Sequence, residues 1–414
     1  MKMTKILSFV LVLVMLASCF SFVGCENKEE AIEIKLWVST TEGVSDLFME
    51  QVEAFKAANP SYEFTVTIET VSEGDAGTEV LKDVATAPDM YCFAQDQIAR
   101  LVQGGALAPL GVNASATVTA NNDAGSVGAA TVGEKIYAYP MTSDNGYFLY
   151  YDSRYISDEQ AKTWEGIVEA CKAAGKKVAY NLGEAWRGSG FAFAQPVGGG
   201  APLCTSTWTY SADGKNPIAL NDTFNSDNGV IAMKALNALA TSGVWVDSTA
   251  FTGTAAVVDG VWASANAQGE YGDYMKATKL PTFTVDGKTY QTGSFSGYKL
   301  IGCKPQSNEK KAEICNALAL YLTSEDAQLE RYYEFGWGPS NNAAQGNQDV
   351  QGDPLLAALL EQNVYSVPQG VIPNDWWTEA VALYTACAEV GKTEADFRAA
   401  LATYEEKVNA MIVK

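Results

Sequence analysis

Between Ile34 and Ile68 the hydrophobic period changes twice, and no other feature of the chain restricts its fold as much. Ile34-Lys35-Leu36-Trp37-Val38 alternates as a half-buried strand does. After the polar turn Thr40-Thr41-Glu42-Gly43, residues Val44, Leu47, Phe48, Val52 and Phe55 recur at helical spacing until Asn59-Pro60 stops them. Phe64, Val66 and Ile68 then alternate again. Strand, helix and strand make a β-α-β unit, the building block of a parallel or mixed sheet covered by helices on both faces. Ligands of such sheets sit beyond the C-terminal strand ends, here the loop from Thr40 to Gly43.

The same alternation continues. A short strand, Met90 to Phe93, is followed by a helix from about Asp96 to Gln103 that ends at Gly104-Gly105. The aromatic-rich segment Lys135 to Tyr151 breaks around Thr142 to Gly146. Helix and strand signals recur through Trp164–Tyr180, Asn228–Thr241 and Gly260–Ala265, with strong helices at Lys310–Leu322 and Ser324–Phe335 and from about Trp376 and Glu394. The class is α/β, and 414 residues exceed what one core holds, so at least two domains are expected.

Charge and residue content exclude several functions. Acidic residues outnumber basic ones 49 to 28, a formal charge of -21 that repels nucleic acid and anionic lipid. The chain has no histidine, which rules out Ser-His and Cys-His pairs, histidine-containing zinc sites and an imidazole base. Cys92, Cys171, Cys204, Cys303, Cys315 and Cys387 are scattered without Cys-x-x-Cys spacing and read as small hydrophobes, not a disulfide scaffold. Asn225 to Gly229 misses the calcium-loop pattern and reads as a helix cap. Gly198-Gly199-Gly200 lacks the Gly-Lys-Ser/Thr of a phosphate loop. Neither a metal nor a cofactor is expected.

Residues 1–24 read as a lipoprotein signal peptide: Lys2 and Lys5 precede an apolar run from Ile6 to Leu16. Phe22-Val23-Gly24-Cys25 resembles a bacterial lipobox, with Cys25 as the lipidated residue. Leu16-Ala17-Ser18-Cys19 is the alternative, but it leaves an apolar stub. Losing Lys2 and Lys5 takes the formal charge from -21 to -23, and residues 25–30 become a lipidated polar tether.

Several segments, in order, resemble the family 1 extracellular solute-binding proteins of ABC importers, most of all their maltose-binding members. Ala87-Pro88-Asp89-Met90-Tyr91-Cys92-Phe93-Ala94-Gln95-Asp96, then Gly104-Gly105-Ala106-Leu107-Ala108-Pro109-Leu110, is the most specific stretch. Lys135 to Pro140, Thr163-Trp164-Glu165, Asn181 to Trp186, Gly260-Val261-Trp262-Ala263 and Tyr365 to Trp377 fit the same pattern. The resemblance implies a two-lobed periplasmic-binding-protein-like fold with a hinge and an interlobe ligand cleft. One lobe is expected at 31–142 plus 291–341, the other at 143–290 plus 342–414. It further implies a monomeric binding lipoprotein, not an enzyme. This would sit on the outer face of a bacterial cytoplasmic membrane, of Gram-positive type. It would hold an oligosaccharide, maltodextrin-type favoured, and deliver it to a membrane permease.

A sugar offers apolar faces and a rim of hydroxyls, so its site needs aromatic platforms among hydrogen-bonding acids. The resemblance places these at Glu42, Phe93, Asp96, Asp144, Glu184, Trp186, Trp262, Trp376 and Trp377, with at most one of the last two facing the cleft. Phe93 stands where maltose-binding members have tryptophan, and Trp186 where they have tyrosine. Each of these residues also has a plain structural reading: Phe93 as strand core, Asp96 as a helix cap. The rivals are a glycosidase using Asp144 and Glu184, and a polysaccharide-capturing adhesin.

Overall fold

The computed structural model describes residues 32–211 and 216–413. The signal peptide, Cys19, Cys25 and the tether lie outside the described residues.

The first half of the chain folds as its periodicity predicts. β1 (Ile32–Val38), α1 (Val44–Ala58) and β2 (Phe64–Thr70) form the β-α-β unit, with the two strands parallel from Ile32↔Phe64 to Val38↔Thr70. Alternation buries Ile34, Leu36 and Val38 against Val44, Phe48, Val52 and Phe55 of α1. Each such side chain contributes about 1.5–3 kcal/mol when removed from water. Gly43 precedes α1 at φ 84°, a left-handed conformation that costs a glycine little. β3 (Met90–Ala94) runs parallel to β1, and β4 (Ala138–Thr142) closes this part of the chain.

A second sheet follows. Its elements are β5 (Phe148–Asp152), α2 (Trp164–Ala174), β6 (Lys177–Ala179), α3 (Ala185–Gly188), α4 (Asp227–Ala240), β7 (Trp245–Val246), β8 (Thr254–Asp259) and β9 (Met275–Thr278). The chain then passes through β10 (Ser294–Ser296) into β11 (Lys299–Cys303), α5 (Glu309–Leu322) and α6 (Glu325–Phe335). It ends with β12 (Ser366–Pro368), α7 (Asn374–Cys387) and α8 (Glu394–Asn409).

The two sheets share one plan. Their strand orders are β2-β1-β3-β11-β4 and β7-β6-β8-β5-β9. In each, three parallel strands are followed by an antiparallel one, β11 or β5. That strand comes from chain that has just crossed between lobes, which ties the lobes together more firmly than a single linker. The crossings run side by side: Ser143 N–H donates to Gly338 O at 2.9 Å, Asn145 N–H to Gly297 O at 3.2 Å, and β10 pairs with β12.

One sequence reading changes in detail, and another, the helix cap at Asn225 to Gly229, holds. The helix expected from Asp96 opens with a 3-10 turn at Gln95–Gln97 and becomes α-helical at Ile98–Gln103, and Asp96 does not cap it. At Asn225 to Gly229 the capping residue is Ser226, whose Oγ accepts from Gly229 N–H at 3.2 Å. The six cysteines are free and buried. Among the described residues no helix is long and apolar enough to cross a membrane, and no cluster of metal-ligating side chains occurs.

Candidate ligand-binding cleft

The strand ends of the two sheets face each other across a cleft of about 680 Å³. From the first lobe, the loop after β1 brings Ser39 and Thr41, whose hydroxyl oxygens lie 3.1 Å apart. The loop after β2 brings Glu73. Its backbone oxygen accepts from Gln97 Nε2 at 2.6 Å, while Gln97 Oε1 accepts from Gly77 N–H at 2.5 Å. A Cβ at position 77 would lie 2.3 Å from that Oε1, so this bracing needs glycine. Glu73 Oε1 is enclosed without a hydrogen-bond partner in the described protein, with Lys299 Nζ 3.8 Å away.

Asp96 follows β3. Its Oδ1 is likewise enclosed and unpartnered. Burial pushes its carboxyl up to about 7, while Arg100 and the Gln369 side chain act in the opposite direction. Arg100 also reaches the other lobe, at 3.5 Å from Asn374 Oδ1.

The second lobe contributes rings. Trp186 sits on α3, edge-on to Tyr147 with centroids 4.7 Å apart, and donates from Nε1 to Gln369 Oε1 at 3.0 Å. Trp262 lies 6.0 Å from Trp186, in the 3-10 turn after β8. A Cβ on Gly260 would lie 2.2 Å from the Trp262 indole, so glycine is what lets that ring fold back over the strand end. Lys299 Nζ stands 4.8 Å from the Trp262 ring and 5.0 Å from Trp337, a cation held between two indole faces. Trp377, in the first turn of α7, completes the ring set. Behind this wall the buried Arg187 pairs with Asp259 at 2.6 Å and with Glu184.

Five sequence-predicted residues meet in the cleft: Asp96, Glu184, Trp186, Trp262 and Trp377. Four do not. Phe93 is fully buried beside Tyr91, centroids 5.6 Å apart, because strand alternation turns its neighbour Ala94 toward the cleft instead. Asp144 is enclosed at the crossing, where Oδ2 accepts from Gly338 N–H at 2.8 Å. Burial raises its carboxyl, with Lys299 opposing. Trp376 points into the second lobe's core and donates from Nε1 to Tyr404 Oη at 2.7 Å. Glu42 is exposed just past the lining residues Ser39 to Thr41. Sequence reasoning missed Glu73, Arg100, Arg187, Lys299 and Gln369 as lining residues. Of these only Arg187 carried a local signal, standing three residues after Glu184 on a helix.

The cleft thus sets flat apolar rings on one wall against acceptors without hydrogen-bond partners on the other, an arrangement suited to a solute with apolar faces and a donor-rich edge.

Known proteins share this architecture. The profile of the bacterial extracellular solute-binding proteins matches residues 50–358. A solved structure described as being with acarbose superposes with a TM-score of 0.80 at 24% identity, covering 92% of this chain and 100% of its own. The maltodextrin-binding protein MalE1 from L. casei BL23, solved without ligand, gives 0.74 at 22%, covering 91% and 99%. The maltose/maltodextrin-binding domain MalE from Bdellovibrio bacteriovorus, bound to maltotriose, gives 0.72 at 19%, covering 91% and 100%. At these identities the likeness is one of fold. No curated protein sequence matches the chain.

Proposed function

The chain belongs to the bacterial extracellular solute-binding proteins, and from that premise we propose that it binds a sugar for an ABC-type importer. In this reading it closes on an oligosaccharide, maltodextrin-type by preference, and presents it to a membrane permease. The observation that carries the reading is the pairing, within one cleft, of Trp186, Trp262 and Trp377 with the unpartnered acceptors of Glu73 and Asp96. Indoles cover the C–H faces of a pyranose, and carboxylates take its hydroxyl donors with charge-assisted bonds. Acarbose and maltotriose, held by two structures of similar fold, are ligands of this chemistry.

The distribution of contacts over two walls supports closure. Only the closed form gives a sugar both walls at once, so binding shifts the population toward it. The lobes assigned are 31–142 with 291–341 and 143–290 with 342–414. Lipidation at Cys25 would tether a monomer to the outer face of the membrane. A glycosidase acting through Asp144 and Glu184 finds no support, since Asp144 is enclosed and holds Gly338 while Glu184 is tied to Arg187.

A thermal-shift screen over mono- and oligosaccharides tests the reading. A true ligand at about a hundred times its dissociation constant adds about 2.7 kcal/mol of stability. The expected outcome is stabilisation by maltotriose or a longer glucan, with compaction in small-angle scattering and no turnover of labelled maltotetraose. Stabilisation by no sugar, or hydrolysis of the probe, overturns it. Binding without compaction would favour the rigid adhesin.

A further inference from the structure

One residue is bonded to both lobes and to the crossing strands between them. Gln369 follows β12 and is 5% exposed. Its Oε1 accepts from Trp186 Nε1 at 3.0 Å and from Asn145 Nδ2 at 3.4 Å. Its backbone N–H donates to Ser296 O at 2.8 Å, and its backbone oxygen accepts from Gln95 Nε2 at 2.7 Å. Trp186 belongs to the second lobe, Gln95 to the first, and Asn145 and Ser296 to two crossings. The close fit of this cluster is visible at Gly297, where a Cβ would lie 3.3–3.4 Å from the side chains of Asn145, Gln95 and Gln369. With Oε1 directed at the indole, the amide presents its donor end elsewhere, and the Gln369 side chain acts on Asp96 so as to favour the ionised form.

We propose that Gln369 is a positioning residue for the cleft: its side-chain amide fixes the Trp186 platform of one lobe while its backbone oxygen holds Gln95, next to the Asp96 acceptor of the other, setting the spacing into which a sugar fits on closure. The inference deepens the sugar-binding reading and rests on it. Backbone bonds from Gln369 to Gln95 of the first lobe and to Ser296 of a crossing anchor the residue that holds the ring. A residue that merely filled space would not hold the ring. The charged groups sharing the cleft with Asp96 are Arg100, Glu73, Asp75 and Lys299 from its own lobe and Glu184 and Arg187 from the other. None of them is substituted in the Gln369 variants, so Asp96 is read against the same set of native charges.

Three variants of the full chain test this: Gln369→Met, which removes both amide functions, Gln369→Glu, which keeps an acceptor for the indole but sets a second carboxylate against Asp96, and Trp186→Phe. The titration midpoint of Asp96 is read by carboxyl NMR without ligand, and maltotriose affinity by calorimetry. Gln369→Met should raise the midpoint and weaken maltotriose about tenfold, the scale of a bond lost to a buried partner. Gln369→Glu should raise the midpoint further, since like charges disfavour ionisation. Trp186→Phe should weaken binding in the wild-type background but add little in the Gln369→Met background. An Asp96 midpoint unmoved in both Gln369 variants, or additive losses in the double variant, overturns the proposal. Should wild type bind no sugar, the functional reading falls and the ligand-free midpoint alone decides the role of Gln369. Should the Met variant not fold, Gln369→Ala, which also removes both amide functions, supplies the midpoint in its place.

Discussion

The two lobes are built on the same strand plan yet present opposite chemistry to the cleft. The second lobe's wall is assembled in advance: Trp186 is bonded to Gln369, Trp262 rests over Gly260 under Lys299, and Arg187 is locked between Asp259 and Glu184. The first lobe's wall leaves Glu73 Oε1 and Asp96 Oδ1 enclosed without hydrogen-bond partners. Burying an acceptor without a partner costs about 1–3 kcal/mol. One wall therefore supplies shape at little further cost, and the other holds a demand for donors that a polyhydroxyl ligand can meet. A shared topology fixes where loops converge; the side chains at the strand ends decide what each wall contributes.

The largest expected effect tests whether the second wall is pre-built. Arg187→Met removes the partner of Asp259, which is itself buried, and breaking such a pair costs about 3–5 kcal/mol. Urea unfolding measures it, and a loss below about 1 kcal/mol would mean that the wall stands without the pair.

Next in size is the platform itself. Trp262→Ala should weaken maltotriose roughly tenfold or more with the fold retained, the scale of a lost aromatic contact. Gly260→Ala sharpens the point, because it leaves the indole present but drives a methyl into its ring. Calorimetry should show both variants weakened, and unchanged affinity in either, on a protein shown to be folded, takes Trp262 out of the binding wall.

The first wall predicts a pH dependence. Asp96 titrates at about 7 in the folded chain, against about 3.9 for an unperturbed aspartate. Between those values the folded state holds a proton that the unfolded state has released. This group's contribution to stability is therefore lost as pH rises from about 4 to about 7. Sugar hydroxyls donate best to the ionised form, so maltotriose affinity should rise by severalfold as pH increases through about 7. Asp96→Asn should flatten both profiles. A wild-type affinity that is level across that range would show that Asp96 is not the acceptor.

These contrasts also explain what was legible in the sequence. Periodicity placed the β-α-β unit and the long helices, since burial of one face leaves a pattern that local spacing carries. The resemblance brought Trp186, Trp262 and Trp377 to the cleft, but it could not orient Phe93. That residue's facing depends on strand parity at β3, where all five residues are buried and the alternation signal vanishes. Trp376 and Trp377 are adjacent on a helix and so diverge; which one faces the cleft is set by how α7 packs on α8. Lys299 and Gln369 enter from chain far removed in sequence from the residues they touch. The resemblance places Asp144 in the site, but its carboxylate serves the crossing instead.

The smallest expected effect bears on the edge of the first wall. Glu42 follows Ser39 to Thr41 on the same loop, but it is exposed and outside the lining, with Gly43 at φ 84° turning the chain into α1 just beyond it. A solvated carboxylate of this kind interacts weakly through water and salt. Glu42→Gln should therefore leave maltotriose affinity within about twofold of wild type, a difference under about 0.5 kcal/mol. Thr41→Val, on a residue that does line the cleft, should cost more in the same calorimetric experiment. If the order reversed, the loop would have to rearrange on closure to bring Glu42 inward, and the first wall would be shaped by the ligand rather than waiting for it.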